Sequence, residues 1–291
     1  MNKQSLLLNK PTIIIAAYNE ASVIRDSLKQ LSSDDYLDSY QILIVCNGCT
    51  DNTEEIVRRE FHSVCCHSIK KASKALAIRY AESLNPGFPR LYLDADVHLS
   101  AKDADRLISI IGDKDTATLM IPSSTIVTAN STALVKSFYR YWYTTPYVKR
   151  SGYGAGTYLL NALARRRFNI WPELVADDAF IRSQFSFNEI HLETSIKVKV
   201  KAPRTLWSLL KVKTRSKIGN LELNAYFKSN PQPRDKSQAV SNGPNTISTN
   251  TDSLSLYDCI LYQLLNAAAL GLAKWQFMIG KKIWHRDNSN R

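Results

Sequence analysis

The chain has 291 residues, 44% apolar and 10% aromatic, which is enough for one large α/β domain with a packed core and excludes a disordered chain. Its 38 Lys and Arg against 26 Asp and Glu leave a formal charge of +12, which points to anionic company: nucleotides, nucleic acid or an acidic membrane face. Met1–Lys10 is too short and too polar for a signal peptide. No run reaches the ~18 apolar residues of a membrane span; the nearest, Cys259–Ala273, is broken by Gln263 and Asn266. A cytoplasmic protein without a spanning helix is expected.

Thr12–Ala17 is a compact β-rich run and the first expected strand. Val23, Ile24, Leu28 and Leu31 follow at helical spacing on one face. Gln41–Cys46 reads as a second buried strand, and Asp51 or Thr53 as the cap of a helix beginning near Glu54. Leu76, Ala77, Tyr80, Ala81 and Leu84 mark another helix, ended by the turn Asn85-Pro86-Gly87. Leu91–Leu93 is a third strand and Ala117–Ile121 a fourth. This alternation predicts an α/β fold with a mostly parallel, doubly wound sheet and helices on both faces.

The second half is less regular. Gly152–Gly156 is a glycine-dense loop, and Pro172–Phe185 a turn entering a helix that carries Asp177 and Asp178. Glu189–Val200 alternates like an exposed strand, and Leu206–Ile218 reads as a basic helix. Residues 229–255 are rich in Ser, Asn, Thr and Pro, and are read as a long mobile loop or linker. Leu256–Trp284 is expected to be an amphipathic helical extension. The expected organisation is therefore a domain over 1–228 (halves 1–125 and 126–228), a linker over 229–255 and a tail over 256–291.

Open α/β sheets bind ligands at the carboxyl ends of their strands, and polar residues stand there. Asp94 and Asp96 follow the third strand and can converge on one hard cation, Mn2+ or Mg2+, which takes oxygen ligands and shares diphosphate oxygens. The competing reading is an ordinary acidic loop. Lys74 stands at a helix start, where dipole and charge both suit phosphate, although Lys70 and Lys71 beside it also fit a plain basic surface. Asp177 and Asp178 are adjacent acids in an apolar stretch. One can serve as the general base toward an attacking hydroxyl while the other, about 100° around the helix, makes structural hydrogen bonds; a helix cap is the alternative. The Gly152–Gly156 loop lacks the G-x-G-x-x-G spacing of a dinucleotide site, so close backbone approach to a substrate is the expected use of its glycines. The five cysteines read as reduced thiols filling small apolar positions, and the five histidines show no metal-site spacing.

Together these residues resemble family 2 glycosyltransferases of the GT-A fold, from about Pro11 to Asn220. PTIIIAAYNE (11–20) looks like that family's opening strand and loop, and by resemblance Ala17, Tyr18 and Glu20 line the nucleoside pocket. VCNGCTDNT (45–53) is similar to its second loop, which implies that Asn47 reads the base edge and Asp51 holds the loop. KALAIRYA (74–81) resembles the helix start that brings Lys74 near the base or diphosphate, and LDADV (93–97) is the family's D-x-D. Ala176-Asp177-Asp178 sits where the acceptor E-D motif is expected, its final acid being the family's base. Asn47 and Asp177 depart from the residues usual there, and the Q-x-x-R-W motif is absent; Lys211–Arg215 occupies that region, with Arg215 a candidate clamp for the diphosphate.

The resemblance implies a single-sugar transferase working with inversion on a nucleoside-diphosphate sugar donor and a saccharide or lipid-linked acceptor, in cell-surface polysaccharide or glycolipid biosynthesis. Nucleic acid is not an expected partner. Eight basic residues and no acid between Ile196 and Asn220, with Trp275, Phe277 and Trp284 in the tail, predict a peripheral seat on the anionic inner face of a membrane, against the plainer reading that these segments pack on the domain. Two other functions fit parts of the pattern. A sugar-nucleotide nucleotidyltransferase shares the sheet and the carboxylates but carries a glycine- and basic-rich loop where Ala17–Glu20 stands. A non-catalytic basic module binding nucleic acid or lipid accounts for the charge but not for acids clustered at strand ends.

Overall fold

The computed structural model describes residues 10–32, 34–36, 38–146, 148, 156–231 and 255–280. The chain divides into two compact units. The first comprises Met1–Thr125, Tyr153–Glu173 and Gln184–Val200, and the second Ile126–Gly152, Leu174–Ser183 and Lys201–Arg291. The expected linker falls almost wholly on residues 232–254, which lie outside the described residues, as do residues 151–155 of the glycine loop and Trp284.

The first unit is built on a seven-stranded sheet in the order β3-β2-β1-β4-β6-β5-β7. Its strands are β1 (Pro11–Ala17), β2 (Gln41–Asn47), β3 (Cys65–Ile69), β4 (Gly87–Asp94), β5 (Leu119–Val127), β6 (Thr157–Leu160) and β7 (Ile190–Lys201). β1 pairs in parallel with β2 and β4, with Ile13 opposite Ile42 and Leu91, and β2 pairs in parallel with β3. β6 runs antiparallel to both β4 and β5. The central strands are β-branched and apolar because both faces are covered, as a parallel sheet requires. On one face Ile13, Ile15, Ile42, Ile44, Leu91 and Leu93 are buried with α1 (Ile24–Leu31), α2 (Thr53–Glu60) and α4 (Ala101–Gly112). On the other, Ile14, Leu43 and Val45 are buried, and α3 (Lys74–Ser83) packs on β1 and β2.

The expected strands are present, and most run longer than the sequence pattern marked. β3, β6, α4 and the helices Ala133–Trp142 and Ala162–Arg165 were not expected. α4 was legible in principle: Ala101, Ala104, Leu107, Ile108 and Ile111 are all buried at helical spacing, and Ser100 Oγ accepts from Asp103 N at 3.1 Å as its N-cap. β3 has no fully buried residue and two adjacent cysteines, so it carries neither alternation nor an apolar run. β7 is not wholly exposed, because Ile196 and Val198 enter the core. The helix near Glu54 has Asn52 as its N-cap residue, without a side-chain cap bond. Asp51 Oδ1 instead accepts from Thr53 N at 3.0 Å.

The second unit is helical: α5 (Ala133–Trp142), α7 (Asp177–Arg182), α8 (Leu206–Ser229) and α9 (Leu256–Met278). The short α6 (Ala162–Arg165) belongs to the first unit. α8 runs eleven residues past the expected end at Ile218. α9 packs on α5 and α8. Its Asp258 is 2% exposed and accepts from Arg140 Nη2 at 2.8 Å and from Ser137 Oγ. The Arg140 guanidinium holds the Asp258 carboxyl below the usual carboxylate range. Lys213 of α8 lies over the rings of Phe138, Trp142 and Tyr139 at 5.1, 5.3 and 5.9 Å; burial, with Lys217 nearby, pushes its ammonium down to about 8. One expectation is corrected here. α9 is long and apolar enough, by length and composition, to cross a membrane, with a mean hydropathy of 1.3 over its best window. Gln263 and Asn266 interrupt the run of letters without lowering the average enough to matter.

Candidate active site

Within the first unit, β2, β1 and β4 lie side by side, so the loops leaving their carboxyl ends are neighbours. These loops carry Ala17–Glu20, Asn47–Thr53 and Asp94–Asp96. Asp51 knits the first two together: Oδ2 accepts from Ala21 N at 3.1 Å, and Oδ1 accepts from Thr53 N and from Thr53 Oγ1 at 2.5 Å. Thr53 Oγ1 in turn accepts from Glu20 N at 2.7 Å. Asn19, at φ +52°, accepts from Thr50 N at 2.7 Å through its side-chain oxygen. Asn47 is 2% exposed and donates from Nδ2 to Ala17 O at 2.9 Å, so one of its amide protons ties β2 to β1. Gly48, at φ +62°, donates to Ile69 O at 2.8 Å, and a Cβ there would meet Ala72 N at 2.8 Å. Only glycine therefore lets this loop lie against the approach to α3.

Cys49 was not singled out by sequence. Its Sγ lies 3.5 Å from Asn19 N and 3.4 Å from Ala17 O, and a hydrogen bond with Cys46 draws its thiol down to about 7. The C-x-x-C spacing was the available signal, read as apolar filling. Cys46 fits that reading; Cys49 is a polar contact of the first loop.

Lys74 and Asp94 meet: Nζ is 2.7 Å from Oδ1. The sequence placed each near a diphosphate independently, and the fold supplies the reason they come together. At the opposite end of the same two elements, Glu82 Oε2 accepts from Arg90 Nη1 at 2.6 Å and Arg165 Nε at 2.7 Å, while Oε1 accepts from Tyr92 Oη at 2.5 Å. Glu82 lies eight residues after Lys74, about 12 Å along a helix. Asp94 lies four residues after Arg90, about 13 Å along a strand. The buried Glu82 cluster thus sets the register of α3 against β4, and that register brings Lys74 to Asp94.

Gly156 fixes Asp94 from the other side. Asp94 N donates to Gly156 O at 3.2 Å, and a Cβ on Gly156, at φ +74°, would lie 1.9 Å from Asp94 Oδ2. The close approach expected of this glycine is made to the carboxylate itself. Ala95 and Val97 are buried and anchor the turn, leaving Asp96 exposed. Among the described residues no group of three or more His, Cys, Asp or Glu side chains can hold a metal by itself. An exposed Asp96 with Asp94 two residues away nonetheless fits Mg2+ or Mn2+, which bind through one or two carboxylates and take their remaining oxygens from phosphate and water.

The second unit holds Asp177, Asp178 and Arg215. Asp177 is 4% exposed and Asp178 is exposed; both stand in the first turn of α7, where the helix dipole favours carboxylates. The N-cap is Ala176, so neither acid is the cap residue. Asp178 Oδ1 accepts from Ala179 N at 2.8 Å. The segment entering α7 is held from α8 by two residues that sequence reasoning missed. Glu222 Oε2 accepts from Val175 N at 3.1 Å, and Gly219 lets α8 approach so closely that a Cβ would meet Ala176 Cβ at 2.9 Å. Arg215 stands on the same helix, half-buried. Spacing gave no signal for Gly219 or Glu222, because both lie past the expected helix end at Ile218 and acquire meaning only from the neighbour they touch.

The model of glycosyl transferase family 2 matches residues 12–168, more than half of the chain. The chain belongs to glycosyl transferase family 2. It is accordingly an enzyme of the transferase class, working in sugar transfer, with a GT-A fold. A mannosyltransferase from Pyrobaculum calidifontis, solved in complex with GDP-Man and Mn2+, superposes at a TM-score of 0.57 with 16% identity, over 96% of this chain and 77% of that one. S. aureus TarS gives 0.49 with 15% identity, over 94% and 93% of the two chains. Glucosyl-3-phosphoglycerate synthase from Mycobacterium tuberculosis gives 0.48 with 14% identity, over 67% and 71%. At such identities the likeness is one of fold. No match was found among curated protein sequences. Family membership favours sugar transfer over the two alternative functions that the sequence pattern left open.

Proposed function

We propose that this family 2 glycosyltransferase moves a single sugar from a nucleoside-diphosphate sugar to an acceptor hydroxyl with inversion. The observation that carries the reading is the Lys74–Asp94 pair beside the exposed Asp96, at the end of β4 and next to the loops of β1 and β2. Ala17, Tyr18, Glu20 and Asn47 line the nucleoside side of the donor, with Asp51 holding their loops. Lys74 and Arg215 meet the diphosphate, and Lys74 exchanges Asp94 for phosphate oxygen when the donor binds. Asp96, with Asp94, holds the divalent cation. Bound there, Mn2+ or Mg2+ neutralises charge on the departing nucleoside diphosphate.

Asp178 takes the proton of the acceptor hydroxyl as that oxygen bonds to the anomeric carbon. The bond from that carbon to the diphosphate oxygen breaks on the opposite side, which inverts the centre. Asp177, buried one residue earlier, positions the turn. The acceptor is a saccharide or a lipid-linked sugar, in cell-surface polysaccharide or glycolipid synthesis, at the cytoplasmic face of a membrane.

Calorimetric titration with UDP and with GDP, each with and without Mn2+, tests the donor side. One nucleotide should bind, and binding should weaken at least about tenfold without the cation. A folded protein that binds neither would sink the reading. Gly156→Ala offers a second test of the same site. The new methyl displaces the Asp94 carboxylate, so nucleotide affinity should fall about tenfold, with a stability loss of about 1–3 kcal/mol from the strained backbone. Unchanged affinity would mean that the position of Asp94 does not matter.

A further inference from the structure

α9 presents an unusual surface for a helix packed on a folded unit. Its inward face is a narrow stripe, Asp258, Leu265, Ala269, Ala273 and Gln276, set against α5 and α8. Cys259, Leu261, Tyr262 and Asn266 flank that stripe half-buried, and the outward face is exposed and mostly apolar, with Gln263 a polar exception: Leu256, Ile260, Leu264, Trp275, Phe277 and Met278 range from 44% to 84% exposed. Only two charges occur on the helix. Asp258 is turned inward onto Arg140 and Ser137, so the open face carries no acid. Lys274 is the other, with a stem long enough to lift its ammonium out of an apolar layer.

We infer that the outward face of α9 is seated in the interfacial layer of an anionic bilayer, the helix lying in the membrane plane rather than crossing it. Length alone permits crossing, since 23 residues span about 35 Å against a hydrocarbon core of about 30 Å. Packing decides against it. α9 lies along α8, which carries Lys211, Lys217 and Lys228 besides Lys213 over the α5 rings, and a crossing would take those charges into hydrocarbon. Lying flat, α9 buries its apolar face while Lys211, Lys217 and Lys228 stay nearer the headgroups, where cations are attracted to anionic lipid. In the sequence Lys281 and Lys282 follow two residues after the helix.

A second copy of the chain is the less favourable occupant. The open apolar face is wider than the narrow seam that a helix pair uses. The inference sits beside the proposed function, because a lipid-linked acceptor lies in the same layer, but its test does not depend on transfer.

The test is flotation of the full-length protein with phosphatidylcholine vesicles, with and without phosphatidylglycerol, at low and high salt. The protein should float with the anionic vesicles and less so in high salt. The double variant Leu264→Glu with Trp275→Glu, altered only at exposed positions, should partition about a hundredfold more weakly while its melting temperature and nucleotide binding stay at wild-type values. Folded wild-type protein that stays at the bottom of the gradient overturns the proposal. So does a wild-type dimer that the double variant converts to monomer without any vesicle binding, which assigns the face to a second copy. Retention of the wild-type protein in cell membranes through alkaline carbonate washing overturns the in-plane orientation in favour of a spanning helix.

Discussion

Asp96→Ala is expected to leave the fold at wild-type stability and to lower sugar transfer by about 100- to 1,000-fold or more. The two halves of that expectation come from different observations. The turn that carries Asp96 is held by its neighbours: Ala95 and Val97 are buried, Val97 N donates to Asp94 O at 3.1 Å, and Ser27 Oγ donates to Val97 O at 3.0 Å. Removing an exposed carboxylate between two anchored residues should change stability by less than about 0.5 kcal/mol. The chemical half rests on the proposed role. On that role the cation would lose its exposed ligand, and charge on the leaving diphosphate would be less well stabilised. Transfer assays with the nucleotide sugar identified by calorimetry, together with a thermal melt, measure both halves. Transfer at the wild-type rate would remove Asp96 from the metal site.

The largest effect on stability should come from Glu82→Ala, at about 3–5 kcal/mol. The Glu82 side chain is 10% exposed and receives Arg90, whose side chain is 4% exposed, and Arg165, at 17%. It also accepts from Tyr92 Oη, and burial beside this carboxylate pushes that phenol well above its usual range. Deleting the carboxylate leaves two guanidinium groups with uncompensated charge in a nearly dry environment, which costs far more than an exposed ion pair is worth. Arg90 keeps a bond from Nε to Pro86 O at 3.0 Å, and Arg165 one to Phe168 O at 2.6 Å, so the cluster loosens rather than disperses. Chemical denaturation gives the size of the loss. A change below about 1 kcal/mol would show that water replaces the carboxylate and that the cluster does not set the register of α3. Because that register brings Lys74 to Asp94, weaker nucleotide binding should accompany the lost stability.

The donor-side loops were legible because the chemistry of a parallel sheet is local in sequence. An apolar β-branched strand followed at once by polar residues marks a candidate ligand site at the strand end, and the structure brings the loops after Ala17, Asn47 and Asp94 side by side. Asp177 and Asp178 were legible as a pair of adjacent acids, and the exposure of Asp178 beside a buried Asp177 agrees with what two successive helix positions require. Cys49, Gly219, Glu222 and the whole Glu82 cluster were not legible. Each acts on a residue far away in the chain, with 47 positions separating Glu222 from Val175 and 83 separating Arg165 from Glu82. β3 and β6 were missed for a related reason. The short β6 is a strand because β4 and β5 flank it, and β3 is only half-buried at the sheet edge, so neither writes a clear period into its residues.

From its own residues the sequence determined the fold class, the family and the order of the polar loops, because hydrophobic period, turn chemistry and short motifs are properties of neighbouring positions. Tertiary structure alone decided which of those polar groups meet. Lys74 pairs with Asp94 because a helix of 1.5 Å rise and a strand of about 3.3 Å rise are pinned at their far ends by Glu82 and Arg90. It also decided which face of α9 is left apolar and open, because a helix shows its outer side only once α5 and α8 have covered the inner one.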